Sequence, residues 1–144
     1  MPIDAQCEPA RNVLAYSCSG ASNLGQLANE IACRLDRLGL VDMSCLTVIA
    51  SGSEQSLAAA TSGRPVLAIS GCSLACAGAV LVDRGVSVSR SISLADCGVL
   101  KAKHSGVETA EGERIFQEKL REIESFLRAE DETAGPLIDA ALAG

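Results

Sequence analysis

Aromatic side chains are nearly missing from this sequence: it has no tryptophan, one tyrosine (Tyr16) and two phenylalanines (Phe116 and Phe126). A core must then be built from Val, Ile, Leu and Ala, and no row of rings exists on which bases could stack. Basic charge is also scarce, with 12 Lys and Arg against 18 Asp and Glu and a net charge of -6. Nucleic acids and anionic membranes both reward clustered cations, so neither is an expected partner. No apolar run approaches the ~20 residues of a membrane-spanning helix. The opening residues, Met1 to Pro9, lack the basic start and apolar stretch of a secretory signal, which makes the cytoplasm the expected compartment. Histidine is limited to His104. It stands among small and basic residues, where a solvated imidazole is expected, and nothing nearby would orient it in a catalytic triad.

Cysteine, by contrast, is plentiful: Cys7, Cys18, Cys33, Cys45, Cys72, Cys76 and Cys97. In a reducing compartment such thiols read as ligands, reactive groups or core fillers before they read as disulfides. The chain has 144 residues, 48% of them hydrophobic, which suits one domain with its own core. A single domain is expected over residues 1–144, with a flexible lead-in at 1–11 and a weakly packed tail at 130–144.

Periodicity gives an alternating pattern. Residues 12–17 read as a strand, followed by a loop of small residues at 18–23. Leu24, Leu27, Ala28, Ile31, Leu35 and Leu38 recur at helical spacing and stop at Gly39, with Ser22 or Asn23 as the N-cap. Residues 41–50 are ambiguous; Leu46 to Ile49 favours a strand, and a short helix follows at 54–60. Residues 64–70 form the clearest strand, apolar enough to be buried on both faces of a parallel sheet. A helix is expected over 74–84, closed by Gly85, then an edge-type strand over 86–94, where apolar and polar residues alternate. A loop at 95–106, a helix at 109–129 and a short last helix at 136–142 complete the chain. The fold class that follows is α/β: a three-layer sandwich with a mostly parallel sheet of about four strands flanked by helices. Ligands in such folds collect beyond the C-terminal ends of the strands.

Cys18 and Cys72 each follow a strand and so fall on that edge. Cys72-Ser-Leu-Ala-Cys76 opens a helix, which puts two sulfurs on one side of a turn, and the helix N-terminus favours thiolate over thiol. Thiolates from separate loops make a soft ligand set suited to zinc. Cys45 is open: if residues 46–50 form a parallel strand it lies on the wrong edge, and it joins the others only if they form a loop, a short helix or an antiparallel element. A phosphatase-like use of Cys18 fails because Leu24 stands where an arginine is needed. Cys33 falls on the polar side of its helix, and Cys97, after the edge-type strand, is placed where it could approach the site from its rim.

The stretches from Tyr16 to Glu30, Met43 to Leu46 and Ala68 to Ala77 resemble the DGC-domain family, small bacterial and archaeal proteins usually described as zinc-binding. The likeness runs from about Val13 to Lys103, and Asp96-Cys97-Gly98 with Lys101 is similar to a later family segment. The resemblance implies four cysteine ligands, Cys18, Cys45, Cys72 and Cys76. One departure matters: the Asp-Gly-Cys that names the family is Ser70-Gly71-Cys72 here, so a hydroxyl replaces a charged acid.

Three functions are compatible with these cysteines. The first is a small zinc protein with a closed thiolate site, structural or a metal store, its role unassigned. The second is a thiol-based redox or sulfur-transfer enzyme using Cys72 or Cys76, with Cys97 as resolving thiol. The third is an iron–sulfur cluster protein on the same four ligands.

Overall fold

The computed structural model describes the backbone of residues 12–143 and the side chains of residues 12–133. The expected lead-in, with Cys7, lies outside the described residues. Four strands, β1 (Leu14–Ser17), β2 (Asp42–Met43), β3 (Val66–Ser70) and β4 (Arg90–Ser93), form one sheet in the order β2-β1-β3-β4. Every pairing is parallel: Ser17 stands opposite Ile69, Ala15 opposite Met43, and Ser70 opposite Ser93. Among the described residues five helices flank the sheet: α1 (Asn23–Arg37), α2 (Leu46–Ala50), α3 (Glu54–Ala60), α4 (Cys76–Asp83) and α5 (Thr109–Ala143).

The sheet separates two apolar clusters. On one face Ala15, Leu67, Ile69 and Ile92 pack against Ile31 and Leu35 of α1 and Phe116 and Ile123 of α5. On the other, Leu14, Tyr16, Val66 and Ala68 meet Ile49 of α2, Ala60 of α3 and Ala77 and Leu81 of α4. Buried on both sides, β3 carries an unbroken apolar run up to Ser70 because no residue of it faces water. This is the three-layer α/β sandwich expected from the alternating pattern.

Several details differ from the sequence reading. Leu46 to Ala50 is a helix, not a strand; its Thr, Val and Ile favour extended backbone, but Ile49 is buried against α4 and packing decides. The strand beside β1 is instead Asp42–Met43, too short to show a period. Helix α4 starts at Cys76 rather than near Leu74, because Ala75 before it takes the left-handed conformation at φ 50°. The last helix continues past Ala129 through Glu130 and Glu132, both good helix formers, and its backbone runs to Ala143 without the separate helix expected at 136–142. Among the described residues no helix is long and apolar enough to cross a membrane.

Candidate thiolate site

Helix α1 follows β1 onto one face, whereas α4 follows β3 onto the other. Neighbouring strands whose connections part in this way leave a crevice at their C-terminal ends, where ligands of open α/β sheets bind. Cys18 comes directly after β1, Cys45 two residues after β2, and Cys72 two residues after β3. Since β1 lies between β2 and β3, the Cys18 loop stands between the other two. The helical state of residues 46–50 thus puts Cys45 on the same edge as Cys18 and Cys72, the alternative that the sequence left open.

Close backbone packing holds this edge in shape. A Cβ at Gly71 would lie 2.6 Å from the carbonyl carbon and oxygen of Leu24, so only glycine lets the β3 loop touch the first turn of α1. That turn is capped by Ser22, whose hydroxyl accepts the Gly25 N–H at 3.1 Å. Asn23, almost fully buried, ties in a third segment. Its amide donates to the Leu100 carbonyl at 3.0 Å and its oxygen accepts the Ala102 N–H at 2.8 Å.

Lys101 sits between those two anchored residues, and its ammonium nitrogen is 3.4 Å from the Cys72 sulfur. The Leu74 N–H and Lys101 together hold the Cys72 thiol below its usual range, the backbone donor being the larger cause. The source of this activation differs from the expected one: Cys72 precedes the helix, and a turn amide and a distant lysine do what a helix N-terminus was expected to do. Cys76 occupies the first position of α4 and is exposed.

Side chains on β1 and β3 alternate between the two clusters, so Cys18 and Ser70 both turn to the α4 face, and Cys18 packs against that cluster. Ser17 turns the other way and donates to Asn29 of α1 at 3.2 Å. Cys45, exposed, lines a cavity of about 370 Å³ with Ser17, Ser19 and Asn29, on the α1 side of β1. The edge therefore brings the loops together without closing the sulfurs around one point. Among the described residues no three Cys, His, Asp or Glu side chains are grouped closely enough to hold a metal ion. The donor chemistry nevertheless fits a soft cation, with several thiols on one edge and one of them already favoured as thiolate.

Beneath the site Ser70 is 1% exposed, and among the described residues its hydroxyl has no hydrogen-bond partner. An orphaned buried hydroxyl costs about 1–3 kcal/mol. Cys97 is not at the rim: it is buried in the α1–α5 cluster, its sulfur 4.0 Å from the Val99 carbonyl. Cys33 is half-buried, and His104 is exposed. Nothing in the local sequence signals the roles of Asn23 and Leu74 at the site. Lys101 is marked only by the family resemblance, since nothing in the spacing links position 101 to position 72.

The family model for the DGC domain matches residues 14–119. The "Anaerobic and virulence modulator AnvM" of Pseudomonas aeruginosa is 39% identical over 105 residues, which cover 73% of this chain and 80% of that protein. No solved structure matches the chain. From both the family model and this relative, the chain belongs to the DGC domain family.

Proposed function

We propose that this chain is a small cytoplasmic zinc-binding protein whose cysteine centre, built around Cys72, serves a modulating role rather than a metabolic reaction. The observation that carries the reading is the delivery of Cys18, Cys45 and Cys72 to one sheet edge, with Lys101 favouring the Cys72 thiolate. Cys18, Cys45, Cys72 and Cys76 would hold the ion, which at that site supplies a cross-link between loops. Cys45 and Cys76 are both exposed, so their side chains have room to turn toward a shared ion. Four thiolates leave no open coordination position, which argues for a structural or storage role over Lewis-acid catalysis. An iron–sulfur cluster would call on the same four residues.

A second reading, thiol redox chemistry at Cys72, is favoured by one observation. Cys72 is only half-buried and has an ammonium group beside its sulfur, the setting of a reactive thiolate. The Pseudomonas relative is named as an anaerobic and virulence modulator. Transferred to this chain, that name suits a centre whose thiolates persist only when oxidants are scarce.

Elemental analysis of anaerobically purified protein tests the first reading. About one zinc per chain is expected, falling several-fold in both Cys45→Ser and Cys72→Ser. Metal content that is negligible, or unchanged in both variants, removes it. A brown preparation containing iron would transfer the same ligands to a cluster.

A further inference from the structure

We propose that Cys72 and Lys101 form a reversible oxidation switch: once Cys72 is oxidised to a sulfenic acid, the Lys101 amine condenses with it and joins Nζ to Sγ. This deepens the redox reading of the thiolate site and rests on it. Three observations carry it. First, the two reacting atoms already meet, with the lysine nitrogen 3.4 Å from the sulfur. Cys72 is half-buried and Lys101 exposed, so a small oxidant reaches the sulfur and the flexible lysine stem can close the remaining gap.

Second, one turn of α1 holds both partners. The Asn23 N–H donates to the Ala102 carbonyl at 2.9 Å, and the Asn23 side-chain oxygen accepts the Ala102 N–H at 2.8 Å. Ser22, before it, forms an isolated antiparallel bridge with Lys103. Leu24, after it, is the backbone against which Gly71 is wedged, directly before Cys72. The segments that carry the sulfur and the nitrogen are thus fixed to consecutive residues of one helix start. Third, the competing nucleophiles are poorly placed or weak. Cys97, the expected resolving thiol, is buried in the α1–α5 cluster, its sulfur toward the Val99 carbonyl. Among the described residues no other cysteine sulfur is hydrogen-bonded to Cys72. The Leu74 N–H does reach the sulfur, but an amide nitrogen shares its lone pair with the carbonyl and attacks poorly.

With hydrogen peroxide as the oxidant, the atoms balance. The Cys72 thiolate attacks one peroxide oxygen, an S–O bond forms as the O–O bond breaks, and hydroxide leaves; sulfur is oxidised and peroxide reduced. Lys101 gives its ammonium proton to solvent, and its nitrogen attacks the sulfur. The S–N bond forms as the S–O bond breaks, and the oxygen leaves as water with a proton from the nitrogen. The link consumes the thiolate and the lysine charge together, and it stops oxidation before the irreversible sulfinic acid. Added thiol reverses it: attack at the sulfur releases the amine, and a second thiol frees Cys72 as a disulfide departs.

The test treats the full chain with hydrogen peroxide, a metal chelator present, and compares it with Lys101→Arg. Arginine keeps a cation beside the sulfur, but its delocalised guanidinium stays charged and does not condense. Peptide mass spectrometry of the parent chain is expected to show Cys72 linked to Lys101, the pair two hydrogens lighter than its separate peptides and restored by excess dithiothreitol. Lys101→Arg is expected to give no link, and labelling of the Cys72 sulfenic acid by a 1,3-dione probe several-fold above the parent. Equal labelling in both chains without a linked pair overturns the switch and leaves the redox reading intact. A linked pair that keeps the peroxide oxygen, or a Cys72–Cys76 disulfide in both chains, likewise overturns the condensation. Cys72 that stays unmodified under peroxide overturns the redox reading and the switch together.

Discussion

Lys101 and Cys72, 29 positions apart, meet with the lysine nitrogen 3.4 Å from the sulfur. The contact exists because Asn23 grips the backbone on either side of Lys101, at Leu100 and Ala102. A residue of the first helix therefore sets the charge environment of a cysteine after the third strand.

Replacing Lys101 by Met should raise the Cys72 thiol toward its ordinary range without changing the fold. Alkylation of Cys72 near neutral pH, followed by mass spectrometry of each cysteine peptide, should slow by roughly three- to ten-fold. The rates at Cys18 and Cys45 should stay as they are. An unchanged rate at Cys72 would mean that the lysine does not hold the thiolate.

The same contacts give a pH dependence with a definite sign in the metal-free protein. The folded-state Cys72 thiol is lowered, first by the Leu74 N–H and then by Lys101. Its contribution to stability is therefore present above the unfolded thiol's pKa and is lost as pH falls through the folded value. Tyr16 behaves oppositely. Burial raises its phenol, so its contribution holds at lower pH and is lost as pH rises through the folded value. Chemical denaturation from pH 8 to 11 should show Tyr16→Phe losing less stability at the alkaline end than the parent chain.

Asn23→Ala should cost about 2 kcal/mol, because the buried Asn23 amide's two hydrogen bonds, to the Leu100 carbonyl and from the Ala102 N–H, are lost together. It should also slow Cys72 alkylation, by releasing the segment that carries Lys101. Urea unfolding and the alkylation assay together check both outcomes. Lost stability with unchanged Cys72 reactivity would disconnect Asn23 from the site.

Two backbone substitutions should act in opposite directions. Gly71→Ala forces a Cβ to 2.6 Å from the Leu24 backbone and should destabilise by about 3 kcal/mol. Ala75→Gly relieves a left-handed alanine and should stabilise by about 1 kcal/mol. Denaturation midpoints distinguish the two.

Much of the architecture was legible because its residues leave a strong pattern. The apolar run ending at Ser70 marks a doubly buried strand, and the spacing from Leu24 to Leu35, with Ser22 ahead of it, marks α1 and its cap. The Glu54–Ala60 helix was also readable, as was the edge position of the strand around Ile92. What was hidden lacked either length or a local cause. Two residues make β2, and Leu46 to Ala50 has strand-like composition that burial of Ile49 overrides. The left-handed Ala75 has no signature, since alanine is normally a helix former. At the site the cysteines announced themselves, and their shared edge followed from the fold. The Lys101 contact, the grip of Asn23 and the idle hydroxyl of Ser70 are long-range consequences of packing, which spacing along a chain does not encode.

X-ray absorption at the zinc edge of the anaerobically purified, metal-loaded chain reads the proposed thiolate shell itself. The expected first shell is sulfur alone at ~2.3 Å, close to four atoms, losing a sulfur when Cys72 is replaced by Ser. A shell dominated by nitrogen or oxygen, or one that keeps all its sulfurs without Cys72, would contradict it.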